Sequence, residues 1–445
     1  MASTRLYRTP GSSSNQVKWT WSGWIKKCTN SLSGALFCAY TDVNNYTELD
    51  AGSNQIDYYN VTGGGVDARR TTSAYQRDPS AWYHIVVVWD TANAVAGDRM
   101  KVYINGVEQT NFSATTDPSS SLNSTMNSTA PQEIGARATG GSTFFNGQMA
   151  HVHFCDGQAY AASDFGETDS TSGIWVAKSA PTVTYGTNGY FLKFASGASG
   201  ADSSGNGNTM TVAGSLTNLK DNPDNNFCSM NPLDNEYAQY TYSNANQTIT
   251  NGGSKGFATG TFALSTGKWY WEMKTTAEPG GAYSLIGIAD YPTQGTGAGN
   301  YLGYTSGEYA YYGIDGNSRN NTSSTSYGDT WGSGDIIGVY LDLDNSKLYF
   351  AKNGTIQNSG TGISITAAAS TTNGFYFPAT GYNDTSASVY NHNFGQGYFG
   401  TTAVASGVSD AGGEGTFEYN PSTGTFDGSS KDFRAICTNN IATYG

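Results

Sequence analysis

Three groups of side chains in this sequence have the types and spacing to do chemistry. His151, His153 and Cys155 alternate along AHVHFCD, so an extended strand would present three metal ligands on one face. Successive same-face positions on a straight strand lie roughly 7 Å apart, too wide to close on one zinc, and the trio reads as an ordinary sheet face. Asp202, Asn206 and Asn208 sit in the turn ADSSGNGN, and a second Asp/Asn-rich turn spans Asp221 to Asn226. Their oxygens suit calcium. The same residue types fill tight turns for conformational reasons, which is the expected role here, with calcium binding as the alternative. Finally, Tyr301, Tyr304, Tyr309, Tyr311 and Tyr312 punctuate YLGYTSGEYAYYG. Rings set among Gly and Ser give contact area at low entropic cost, and stacking on a sugar is one use. The competing role is to line a sheet or to cover another subunit.

Catalytic constellations are not found. Glycan hydrolysis needs two carboxylates about 5–9 Å apart, usually alternating on one strand, and no E-x-D-x-x-E or comparable set is read in the chain. Asp342 and Asp344 share a strand face, but they belong to a hairpin. Four histidines give no Ser/His/Asp or Cys/His arrangement. Gly63-Gly64-Gly65 precedes no helix and so is not a phosphate loop. The expectation is a protein that is not an enzyme.

The elements that must position these residues are strands. Charged residues are only 13% of the 445, while 57 glycines and runs of Ser, Thr and Asn separate segments rich in aromatic and β-branched residues. No ten-residue window has clean helical periodicity. A chain of this length exceeds what one core organises, so two domains are expected. The net charge of −13 repels phosphates, which disfavours nucleic acid as a partner. No run of about 18 apolar residues is present to span a membrane, and the first residues do not form a secretory signal. Five cysteines without C-x-x-C spacing indicate neither a disulfide framework nor a zinc ribbon, which fits assembly in a reducing cytoplasm.

Particular segments carry two resemblances. WYHIVVVWDTANAVAGDRMKVYINGVEQTNF, Trp82 to Phe112, places an apolar strand before MKVYI and a tight Asn105-Gly106 turn. It resembles the laminin-G/concanavalin A-like jelly roll. The tail Asp156-Gly157-Gln158, Phe165-Gly166-Glu167, Gly173-Ile174-Trp175 is similar to that of such modules in phage structural proteins, with Ala177 where a proline is expected. Further on, Gly267 to Glu272 (GKWYWE), Leu285 to Ala289, Gly334 to Gly354 and Gly374 to Ala379 resemble the stations of the SPRY family in order. That resemblance implies that Asp342 and Asp344 serve turn structure. Between the two, ADSSGNGN and DNPDNNFCSMNPLD, Asp221 to Asp234, resemble a block of bacteriophage virion proteins that precedes a SPRY-like domain.

The resulting expectation is an all-β chain of two antiparallel β-sandwich (jelly-roll) domains in tandem. It comprises an N-terminal arm (1–16), a laminin-G/concanavalin A-like sandwich (17–178), a connector with one strand (179–236), a SPRY-like sandwich (237–395) and a C-terminal extension (396–445). The extension is expected to add one strand pair, Phe417 to Tyr419 with Arg434 to Cys437. The resemblances imply a non-enzymatic protein of a phage particle, a capsid decoration or a tail or fibre appendage, in contact with other virion proteins. It would be made in the host cytoplasm, be present as a homo-oligomer or in many copies, and touch host cell-surface glycans. A free carbohydrate-binding adhesin and a glycan-degrading enzyme are the alternatives.

Overall fold

The structure is a computed structural model that describes residues 4–28, 34–137, 139, 143–234, 240–292, 300–428 and 430–445. The chain divides into two compact units, Met1–Asn218 and Leu219–Gly445. Both are β-sandwiches. Among the described residues the sole α-helix is Thr438–Tyr444, and no helix is long and apolar enough to cross a membrane.

In the first unit a six-stranded sheet runs in the order Tyr190–Leu192, Gly147–Asp156, Lys18–Lys27, Tyr83–Asp90, Met100–Ile104, Val107–Glu108. Its hairpin turns at Asn105 and Gly106, whose φ values of 47° and 81° are the left-handed pair that a two-residue turn requires. The facing ten-stranded sheet is built around Gly65–Thr72, Asp57–Thr62, Asn45–Asp50, Ala35–Asp42, Gln132–Ile134, Arg5–Arg8 and Thr211–Ala213, in that order. Trp19, Trp21, Phe37, Tyr58, Trp89 and Phe154 fill the space between the sheets. The arm expected to precede the domain is therefore a strand inside it. Part of the connector also belongs here: Tyr190–Leu192 pairs with Gly147–Asp156, and Thr211–Ala213 pairs with Arg5–Arg8.

In the second unit one sheet is ordered Thr241–Ser243, Thr248–Thr250, Val389–Asn393, Lys268–Ala277, Ile336–Asp342, Lys347–Lys352, Thr355–Ile356. The other is ordered Gly256–Thr259, Phe377–Tyr382, Ser284–Ala289, Glu308–Tyr312, Asn317–Asn320, Ser323–Ser326. Trp269, Trp271, Val339, Leu341, Leu348 and Phe350 point between them. The rest of the connector is part of this unit, since Phe227 bridges to Cys437 and the Cys228 N–H donates to the Ile436 carbonyl at 2.9 Å.

In both units a trailing segment covers the outer face of one sheet. In the first, Ala162, Phe165 and Trp175 lie over Val86, Val88 and Cys155. In the second, Phe417, Phe426 and Phe433 lie over Tyr270, Tyr340 and Tyr349. The extension's strands do not pair with each other as expected. Thr416–Phe417 pairs with Val408–Ser409, and Arg434–Ala435 adds in parallel to Lys268–Ala277. Ring burial against the sheet, together with short local pairings, organises this segment.

Candidate functional site

A polar row lies on the outer face of the ten-stranded sheet, at residues the sequence reading did not single out. Strand pairing aligns Tyr7, Glu133, Cys38, Glu48, Tyr59 and Arg69 in one row across six strands. Their inward neighbours Leu6, Phe37, Leu49 and Tyr58 join the core, so the two-residue period of each strand separates core from site. Arg137 Nη1 donates to Glu48 Oε2 at 2.6 Å, and the Tyr59 hydroxyl donates to the same oxygen at 2.9 Å. The Arg137 guanidinium also lies 5.3 Å from the Tyr46 ring centre, and Tyr46 meets Tyr59 edge-on at 5.8 Å. Arg69 grips Asp57 through Nε and Nη2, at 3.0 and 2.6 Å, beside the Tyr59 ring. At the other end Arg5 pairs with Glu133 at 3.4 Å and overlies Tyr7.

Glu48 and Asp50 alternate on one strand and face the same way, an E-x-D pair that contradicts the reading that the chain has no alternating carboxylates. Burial raises the pKa of both, against the pull of Arg137 and Tyr59 on Glu48 and of the Gly34 N–H on Asp50. The pair is not arranged for acid–base work. Glu48 is only 1% exposed, beneath Arg137 and Tyr59. What reaches the surface is a set of rings and guanidinium groups whose charges are already matched by carboxylates. Such a face offers stacking planes and hydrogen-bond donors with little net charge, which suits a polyhydroxylated ligand.

The five tyrosines expected to form a binding loop fall into three settings. Tyr309 and Tyr311 point from strand Glu308–Tyr312 into the inter-sheet core. Tyr312 is on the opposite face, 5% exposed, with the Arg319 guanidinium 4.8 Å from its ring centre. Tyr304 is 41% exposed and meets the half-buried Tyr301 edge-on at 5.9 Å. Glu308 holds that corner, accepting from the Gly303 and Tyr304 N–H groups at 2.8 and 2.9 Å. Loop composition in the sequence hid a strand, because Glu308 to Tyr312 is short and lies between glycine-rich turns. Elsewhere in this unit, Ala282, Ile314, Trp331, Asp335 and Lys352 border an open depression of about 360 Å³.

Asp202, Asn206 and Asn208 form a tight clamp. The Asp202 carboxylate accepts from the Phe191, Ser204 and Asn208 N–H groups and from the Ser204 hydroxyl. Burial disfavours its charge, but these donors outweigh burial and lower its pKa. Asn206 and Asn208 donate to the Gly189 carbonyl, and Arg8 Nη2 donates to Asn208 Oδ1 at 2.6 Å. The Asp202 and Asn208 oxygens expected to meet calcium are thus engaged by protein donors, one of them cationic. Asp342 likewise accepts from Asn345, and Lys268 reaches both Asp342 and Asp344, so these two carboxylates tie a turn.

His151, His153 and Cys155 do not form one ligand face. The strand bulges between Ala150 and His153, and His151 takes a φ of 47°. His153 stacks on Phe191 at 3.9 Å with Nδ1 2.9 Å from the Tyr185 hydroxyl, and Cys155 packs among apolar side chains. Folding also brings Ser22 Oγ within 2.8 Å of His84 Nε2, which resembles a nucleophile–base pair. Its polarity is the reverse of one. Trp175 Nε1 lies 3.0 Å from His84 Nδ1, and an indole nitrogen only donates, so Nδ1 accepts and Nε2 carries the proton that it gives to Ser22. His84 therefore cannot take a proton from Ser22, and burial lowers its pKa to about 3.

Residues 3–163 match the family described as the concanavalin A-like lectin/glucanases superfamily, and residues 268–397 match the SPRY domain. A laminin-G-like, concanavalin-like domain and a SPRY domain thus stand in tandem. Over 98 residues the chain is 31% identical to Ran-binding protein 9 of Danio rerio, covering 22% of this chain and 16% of that protein. Ran-binding protein 9 of Homo sapiens matches at the same identity, with 13% of its length covered. The chain thus spans less than a fifth of the length of these relatives. Among solved structures, the SPRY domain of human HERC1 is 20% identical over 33% of this chain and 87% of that one, with a TM-score of 0.27. The TRIM65 PSpry domain is 13% identical over 37% and 89%, with a TM-score of 0.29. Both domain types are typically non-catalytic modules for protein or carbohydrate binding.

Proposed function

We propose that this chain is a non-enzymatic binding subunit of a bacteriophage particle, a head decoration or compact tail appendage, that holds host-surface glycan on its first unit. The observation that carries the binding reading is the row of paired guanidinium groups and tyrosines around Glu48, Tyr59 and Arg137. The particle reading is supported by the block Asp221 to Asp234 and the tail Asp156 to Trp175, which resemble those of virion proteins. The protein would be made in the host cytoplasm and be present in many copies. For the second unit, similarity to Ran-binding proteins supports a protein partner, docked at the depression bordered by Ile314 and Trp331.

A glycan array followed by titration calorimetry tests the first part. Tyr59→Ala should weaken the selected glycan at least about ten-fold, while Tyr304→Ala should leave it unchanged. Absence of any bound glycan would remove this reading. Proteomics of purified particles with copy counting tests the second part. Glycan hydrolysis is the second reading, favoured by the Glu48–Asp50 spacing. A reducing-sugar assay is expected to find no release, because Glu48 is sealed beneath Arg137 and Tyr59.

A further inference from the structure

Lys27 ends the central strand of the six-stranded sheet with its side chain inside the first unit, where the residue is 4% exposed. Its ammonium group donates to Asn54 Oδ1 at 2.5 Å. Asn54 belongs to the facing sheet's connection, the turn Gly52–Asn54 between Asn45–Asp50 and Asp57–Thr62. A buried ammonium normally keeps a carboxylate partner, since an amide oxygen alone offsets little of the lost hydration. Burial lowers the Lys27 pKa to about 8, with Asp78 the main charge opposing that shift.

The surroundings favour one reaction of such a pair. Ser53 and Asn54 are held at φ values of 50° and 68°, and the Gln76 N–H donates to the Asn54 carbonyl at 2.7 Å, so the side-chain amide is presented from a fixed backbone. Gln76 is 6% exposed, and its Oε1 has no hydrogen-bond partner. Ile25, Ala51, Ile56 and Tyr83 help to line a void of about 10 Å³ beside the pair, roughly the space of one water. With so little room for water, the nucleophile held beside the Asn54 amide is the lysine nitrogen, hydrogen-bonded to the oxygen that lies one carbonyl bond, about 1.2 Å, from the amide carbon.

We propose that Lys27 and Asn54 join through a side-chain amide bond that fastens the two sheets of the first unit together. The Lys27 ammonium first loses a proton to solvent. Its nitrogen then bonds to Asn54 Cγ, the Cγ–Nδ2 bond breaks, a proton passes from the amine to Nδ2, and ammonia leaves. Atoms and charge balance without an oxidant or second substrate, and a buried cation is replaced by a neutral amide.

The test is the intact mass of the purified full-length chain after incubation near pH 8–9, followed by tandem mass spectrometry of its digest. The expected result is a loss of about 17 Da, the mass of ammonia, with a branched peptide joining Lys27 to Asn54. Lys27→Met should show no such loss. An unshifted mass in the natural chain overturns the proposal, whatever the variant does. So does a loss traced wholly to succinimide at Asn-Gly pairs, such as Asn105-Gly106 or Asn353-Gly354, which has the same mass.

Discussion

The two covered sheet faces are built alike but hold opposite kinds of ionisable group. Beneath the tail of the first unit, neutral His84 and His153 meet the Trp175 indole and the Tyr185 hydroxyl. Beneath the extension of the second unit, Glu272 accepts from Tyr270, Asn393 and the Glu418 and Tyr419 N–H groups. A wholly apolar lid would dock in many registers, whereas a polar group with directed partners selects one. The two solutions differ in what a proton does to them. Burial lowers His84 to about 3 and raises Glu272 to about 7, although four donors act against the latter rise.

The largest expected effect comes from removing the carboxylate. Glu272→Ala removes the acceptor shared by four donors and should destabilise the second unit by about 3–5 kcal/mol, read from the denaturant midpoint. Protection of the Glu418 and Tyr419 amides from hydrogen exchange should fall with it. If stability changes by less than about 1 kcal/mol, Glu272 is not what holds the extension.

Acidification should split the two faces. His84 binds its proton more readily unfolded than folded, so its contribution is complete above about pH 6.5 and is lost as pH falls toward 3. Glu272 behaves oppositely: its folded form holds the proton more tightly, so its contribution is complete below about pH 4.5 and is lost as pH rises through 7. The swing is on the order of 5 kcal/mol for His84 and about 3 kcal/mol for Glu272. Exchange protection measured between pH 7 and 4.5 should weaken around Trp175 and strengthen around Tyr419. Movement in the same direction at both sites would break the comparison.

Smaller changes sharpen it. Trp175→Phe keeps a ring but removes the donor to His84 Nδ1, for a cost of about 1–2 kcal/mol and a higher His84 pKa by NMR titration. Tyr185→Phe removes only the hydroxyl beside His153 and should cost about 1 kcal/mol or less by thermal unfolding.

Local features were legible in the sequence. The Asn105-Gly106 hairpin and the Ile336–Lys352 hairpin follow from turn residues and alternation. What escaped depends on pairing between distant segments. Glu48 and Glu133 flank Cys38 because three strands align, and Ser22 reaches His84 across 62 positions. The row from Tyr7 to Arg69 is therefore invisible until the register is known. Alternation in NYTELD nevertheless marked Tyr46, Glu48 and Asp50 as one face, and that signal was available. Tyr309 and Tyr311 misled because a tyrosine-rich strand and a tyrosine-rich loop have the same composition.

Each unit is fastened at its start by its own end: Arg5–Arg8 lies beside Thr211–Ala213, and Phe227 bridges to Cys437. During synthesis, neither sandwich can finish until its last strand has left the ribosome. The first should then close while the second is still being made, so that the two long-range searches run one after the other and not in competition.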